Sequence, residues 1–159
     1  MIVLGIDPGS RTTGWGVVTR EHGRYRLLAA GACRTSPEDA MGVRLLAIHG
    51  ELAGVLATWK PGAAALEQIF AHKSATSALV LGQARGVALL AAAAAGVPLF
   101  EYNAATIKAS VAGSGRADKK AVARMVEVLI GGRIPGPHDA ADAVAIAITH
   151  CAHARMVPR

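Results

Sequence analysis

Four acidic residues stand where a folded chain can gather them. Asp7 closes the apolar run 2–6, and the following Pro8-Gly9-Ser10 reads as a tight turn after a buried strand. Glu67 holds the corresponding place after the apolar run 63–66. Neighbouring strand ends would set the two carboxylates side by side, with a mutual repulsion that a bound cation removes. Asp139 and Asp142 are spaced i, i+3 on a predicted helix, so both project from one face near its start. Oxygen donors of this kind suit magnesium or manganese. Two such ions roughly 3.5–4 Å apart can activate a water and stabilise the leaving oxygen in phosphodiester hydrolysis, without a nucleophile from the protein. Each acid also has a plainer reading. Acids near a helix N-terminus gain ~0.3–1 kcal/mol from the dipole, and Glu101 ends the run 97–100 in the same way as Glu67, so spacing does not separate them. The combination of strand-end acids with a paired-acid helix carries the argument.

The rest of the chain is basic. Seventeen Lys and Arg against eleven Asp and Glu give a net charge of +6 over 159 residues and a pI near 9.9. If four acids are set aside in one site, the remaining surface is more basic still, which points to a polyanionic partner such as nucleic acid. Lys108, Arg116, Lys119, Lys120 and Arg124 form the densest basic region, with Arg11, Lys73 and Arg85 as weaker candidates for phosphate contact. A solvated helix face is the alternative for the group around Lys119. Cys33 and Cys151 lie far apart with no metal-ligand spacing, which argues against a disulfide framework or a zinc site. The start of the chain lacks a basic segment before its apolar run and does not read as a signal peptide. The apolar stretch 86–100 is too short for a membrane span and contains Pro98. A cytoplasmic protein without a membrane role is the expectation.

The elements that must hold these residues follow from pattern. Runs 2–6, 13–19 and 24–34 predict an antiparallel meander, the last two separated by His22-Gly23. Ser36-Pro37-Glu38-Asp39 offers an N-cap and a first-turn proline, and Met41, Leu45, Ile48, Leu52, Val55 and Trp59 recur at helical spacing until Pro61-Gly62. A strand at 63–66, a helix over roughly 77–95 and a strand at 97–102 come next. Three more helices are predicted: one capped by Asn103, one over about 117–130, and one from 138 through 152. Length and composition, 52% apolar and 18% charged, fit one compact domain over residues 1–159. Alternating strands and helices make it α/β, a five-stranded mixed sheet of three antiparallel then two parallel strands flanked by helices. The helix over 77–95 is apolar or small on nearly every face, so either a surrounding core or a second subunit must cover its far side. Gly9, Gly14 and Gly16 admit a phosphate cradle, a sharp turn or close strand packing.

Five segments together resemble one known family. GIDPGSRTTGWGVV, ALEQIF, LGQARGV, GSGRADK and DAADAVAIAITH occur in the order found in RuvC-type Holliday junction resolvases, across residues 2–150. The resemblance implies a ribonuclease H-like fold and a structure-selective endonuclease that nicks two opposing strands of a four-way DNA junction. It implies a homodimer with Mg²⁺ or Mn²⁺, two ions per subunit, and partnership with the RuvA–RuvB branch-migration complex. It places the catalytic, metal-holding acids on Asp7, Glu67, Asp139 and Asp142, with His138 in reserve for Asp139. Phe70 matches the aromatic that stacks on bases of the opened junction, a contact worth ~1–3 kcal/mol per base. Lys108 and Lys119 match basic positions of the family, and Lys120 and Arg116 extend the DNA-binding set. An actin-like ATP-binding fold opens with a similar turn but needs two domains. A junction-binding module that does not cut would lack one of the acids, and the short RuvX-like branch lacks the EQIF, GQARGV and GSGRADK segments.

Overall fold

The computed structural model describes residues 1–9, 11–68 and 74–154. Its five strands are β1 (Ile2–Asp7), β2 (Thr12–Glu21), β3 (Arg24–Arg34), β4 (Ala63–Glu67) and β5 (Leu99–Tyr102). The five helices are α1 (Met41–Trp59), α2 (Ala75–Ala94), α3 (Ala104–Ala112), α4 (Lys119–Ile130) and α5 (His138–His153). The sheet runs β3-β2-β1-β4-β5, with β1–β2 and β2–β3 antiparallel and β1–β4 and β4–β5 parallel. This is the expected mixed α/β sheet of the ribonuclease H-like fold.

Side-chain alternation along the strands divides the core into two layers. Val3, Val18 and Ala65 face α3, α4 and α5, packing with Ile107, Val122, Val126, Val144 and Ile148. Leu4, Ile6, Val17 and Leu66 face the opposite side, against Ile48, Leu52 and Leu56 of α1 and Ala84, Ala88 and Ala92 of α2. Helices α1 and α2 are long and apolar enough, by length and composition alone, to cross a membrane. In this fold each lays one side on the sheet instead.

Helix α5 approaches the sheet unusually closely, and glycine is the reason. An added Cβ on Gly5 would fall 1.9 Å from the Ala143 carbonyl oxygen, one on Gly14 would fall 2.1 Å from that of Asp139, and one on Gly16 would fall 2.5 Å from Cγ2 of Val144. Gly5 pairs with Gly16 across the β1–β2 ladder, and Asp7 pairs with Gly14. The three glycines therefore form one flat patch beneath α5. The turn-or-packing reading of Gly14 and Gly16 is the one realised, and Gly5 belongs with them. At the far end of α5, Tyr102 Oη and His150 Nδ1 share a hydrogen bond of 2.8 Å, and the Phe100 and His150 rings lie 4.4 Å apart.

Three boundaries differ from expectation. Ser36 does not cap α1: its hydroxyl accepts the Glu38 N–H and its carbonyl the Asp39 N–H, so the segment closes on itself as a turn and the helix begins at Met41. Strand β5 begins at Leu99 rather than 97, because the Val97 N–H is spent on the Ala92 carbonyl at the end of α2. Among the described residues nothing closes over the outer side of α2, where Leu79 is 67% and Leu90 60% exposed.

The glycine patch yields a direct test. Gly5→Ala should cost about 3 kcal/mol or more by overpacking, a fall in Tm of roughly 6–12 °C for a chain of this size. Gly50→Ala, at an exposed helical position where a Cβ meets nothing within 4 Å, should instead gain ~0.5–1 kcal/mol. Thermal unfolding followed by circular dichroism distinguishes them, and equal, small shifts would contradict the close approach of α5.

Candidate functional site

The acids come together because of where the backbone puts them. Asp7 follows Val3 and Gly5 on the α5 side of β1 by strand alternation, and Glu67 follows Ala65 on the same side of β4. The two strands are parallel neighbours with Ile6 opposite Leu66, so both carboxylates leave the same end of the sheet. Asp139 lies directly over Gly14, the ladder partner of Asp7. Asp142 stands one turn further along α5 and receives Lys119 Nζ from α4 at 2.7 Å. Three elements of the fold thus deliver four acids, and a fourth delivers a cation.

Their electrostatics show the crowding. Burial first, then the negative charges of Asp142, Glu67 and Asp139, push the Asp7 carboxyl from 3.8 up to about 7, with Lys119 opposing. Glu67 is raised by burial and by Asp142, against the pull of Lys108 and Lys119. Lys119 is raised, chiefly by its hydrogen bond to Asp142 and further by the negative charges around it, against the effect of burial. Among the described residues no group of three or more His, Cys, Asp or Glu is drawn together closely enough to hold a metal ion. The carboxylates are instead compensated by Lys119, and below about pH 7 by a proton on Asp7. The donors are all carboxylate oxygens, the set a hard divalent cation prefers, and the surplus negative charge is what such a cation would neutralise.

A cleft of about 300 Å³ opens on this cluster, lined by Glu67, Asp142, Lys108 and Lys119 with Ile107 and Ile146 beneath. Lys108 sits on α3, whose start is set by the Asn103 side chain accepting the Thr106 N–H, and Lys119 opens α4, where the Asp118 side chain accepts the Ala121 N–H. Capped helix starts fix both lysines against the acids. Lys120 and Arg116 are exposed and do not line the cleft. His138 is exposed at the first position of α5. Phe70 and Lys73 lie outside the described residues.

Two sequence expectations change here. Glu101 pairs with Leu66 in register and so points to the α2 side, away from the acid cluster, where it meets Arg85 Nη2 at 2.6 Å. Arg85, read as a weak candidate for phosphate, spends its guanidinium inside the protein on Glu101 and on the Glu67 carbonyl. An Arg and a Glu sixteen positions apart carry no pairing signal, and only the sheet register reveals it.

Comparison with known proteins agrees with this fold and identifies the family. The model of the family described as crossover junction endodeoxyribonuclease RuvC matches residues 3–150. The chain belongs to that family. It is similar to the crossover junction endodeoxyribonuclease RuvC of Zymomonas mobilis, 48% identical over 96% of this chain and 92% of that one. The corresponding protein of Chloroflexus aggregans is 46% identical over 100% of this chain and 98% of its own length. Among solved structures, T. thermophilus RuvC in complex with Holliday junction substrate superposes with a TM-score of 0.90 at 38% identity, covering 98% of this chain and 96% of that one.

The Asp7 carboxyl provides a pH test. Its folded pKa, about 7, lies above the ordinary 3.8, so between these values the folded chain holds a proton that the unfolded chain has lost. Stability of the metal-free protein should therefore fall as pH rises from about 4 to about 7, then level off with respect to this group. Asp7→Asn removes the group, so its Tm should vary less across that window and exceed that of the parent at pH 8. Equal slopes for the two proteins in metal-free buffer would show that Asp7 is not the strained acid.

Proposed function

We infer that the protein resolves Holliday junctions, hydrolysing phosphodiester bonds in two opposing strands of a four-way DNA junction during recombination and repair. The observation that carries this reading is the delivery of four carboxylates, from β1, β4 and α5, to one sheet end beside Lys108 and Lys119, in a chain of the crossover junction endodeoxyribonuclease family. We read residues 1–159 as one nuclease domain.

Nucleases of this family are metal-dependent. In our reading Asp7 and Glu67 hold the ions, with Asp139 and Asp142 completing the cage or orienting water, and two Mg²⁺ or Mn²⁺ per subunit are expected. Such ions activate water and stabilise the leaving oxygen. The chain's own residues do the rest. Burial of Asp7 and Glu67 keeps the donors poorly hydrated, so they are not quenched by bulk water. With a divalent cation held by the acids, Asp142 would no longer need the Lys119 ammonium, which would then be available to a scissile-strand phosphate. Lys108 takes a neighbouring phosphate, Lys120 and Arg116 extend the track outside the cleft, and Phe70 stacks on an unpaired base at the opened crossover.

The uncovered apolar side of α2, with Leu79 and Leu90, supports a homodimer. A two-fold dimer presents two sites to a two-fold junction, which accounts for paired nicks. Partnership with a RuvA–RuvB branch-migration complex and a cytoplasmic location follow from the family resemblance.

The purified protein should nick an immobile four-way junction symmetrically with Mg²⁺ or Mn²⁺, leave a matched linear duplex intact, and lose activity with EDTA. Junction binding without nicking under either metal would leave only a binding module, and indifference to the junction would remove the reading altogether. Asp7→Asn should abolish nicking while binding persists. Lys119→Ala should weaken binding and lower the salt slope by about one unit, and an unchanged slope would argue against its phosphate contact.

A further inference from the structure

Arg85 reaches the candidate metal site from the wrong side of the sheet. It belongs to α2, which packs on the face opposite α5, yet its Nη1 donates to the Glu67 carbonyl oxygen at 2.8 Å while Nη2 meets Glu101 Oε1 at 2.6 Å. The Glu67 side chain leaves on the α5 face, so the contact is to its backbone alone. This is also where the ladder stops. The Gln68 N–H donates to the Tyr102 carbonyl at 2.7 Å as the last bond between β4 and β5, and nothing in the sheet follows it among the described residues. A strand end is the least constrained part of a sheet, and a carboxylate hung from it inherits that freedom.

We propose that Arg85, held by Glu101, is a positioning residue that fixes the backbone of Glu67 so that its carboxylate stays aimed at the cation the four acids share. Three features of the structure favour this over a phosphate contact. The guanidinium is largely buried, its side chain 16% exposed. Both of its outer nitrogens are engaged. Its charge is already balanced by Glu101, whose register opposite Leu66 directs it to the α2 side. The planar fork of arginine makes both contacts at once, which a lysine ammonium on a flexible stem does with less geometric definition. Small losses of alignment at a reacting centre can cost as much as 10²-fold in rate.

The inference rests on the resolvase reading and is separable from it. Arg85→Gln, Arg85→Lys and Glu101→Gln are compared with the parent protein by thermal unfolding, by junction affinity across a salt series, by Mn²⁺ titration calorimetry without DNA, and by single-turnover nicking. The expected result for Arg85→Gln is a roughly 10–100-fold slower nicking step and weaker Mn²⁺ binding, partly recovered in rate at high Mn²⁺, with junction affinity and salt slope unchanged. Arg85→Lys should fall between it and the parent. Glu101→Gln, which leaves the contact to the Glu67 carbonyl possible, should show the same pattern more weakly, and it serves if Arg85→Gln does not fold. Weaker junction binding with a shallower salt slope and a normal nicking step would make Arg85 a phosphate contact and overturn the proposal. Parent-like Mn²⁺ binding and nicking would overturn it too, as would a rate loss that follows thermal stability and does not respond to Mn²⁺. Failure of the parent to nick junctions would instead overturn the resolvase reading.

Discussion

Helix α5 rests on β1 and β2 at a separation that only glycine side chains permit, and the placement of the acids depends on that contact. With Gly5, Gly14 and Gly16 beneath it, the helix backbone touches the sheet backbone, and Asp139 is carried to a point above the ladder partner of Asp7. A single methyl group on that patch would lift the helix or tilt it, and Asp139 and Asp142 would move together because they share one rigid turn. The buried run from Ala143 to Cys151 then locks the helix along its length, so its position is set by packing over many residues rather than by the acids themselves. Those acids repel one another, and the surrounding hydrophobic contacts, with Lys119, hold them in place.

That repulsion is the second organising fact. Sequence order separates Asp7, Glu67 and the Asp139–Asp142 pair widely, and folding gains nothing by assembling them without a counter-charge. Lys119, and below about pH 7 a proton on Asp7, supply a partial one. The site is therefore poised toward any stronger cation able to use carboxylate oxygens. Structural ion pairs also perturb carboxyl groups. Here, however, burial is the largest cause for both Asp7 and Glu67, and like charges come next. Stability alone would favour apolar residues at such positions.

Much of this was readable from residue pattern. Strand runs closed by Asp7 and Glu67, the helical stripe from Met41 to Trp59, and the Asn103 cap all carry local signals, because period, cap chemistry and turn residues act over a few positions. The i, i+3 pair Asp139 and Asp142 was visible for the same reason. What stayed hidden depends on contacts between distant segments. Gly5 reads as an ordinary small residue in a strand until α5 is laid on it. Glu101 and Glu67 end neighbouring strands identically, and only register sends one to each face of the sheet. Ser36-Pro37 imitates a helix start, yet the segment satisfies its own N–H groups within a turn, an alternative that short-range cap signals do not distinguish.

A negative cluster at the centre of a basic protein looks contradictory when the partner is a polyanion. The contradiction is resolved by distance. Long-range attraction depends on the net charge of +6, which draws nucleic acid toward the surface. At close range a phosphate would meet the cleft itself, where Glu67 and Asp142 in the lining would repel it and Lys108 and Lys119 would offset part of that charge. Exposed Lys120 and Arg116 lie outside the lining and leave the charge at the centre unrelieved. On the proposed reading, a scissile phosphate would settle against the acids only with divalent cations beside it, and the same charges that favour a metal would disfavour productive docking without one.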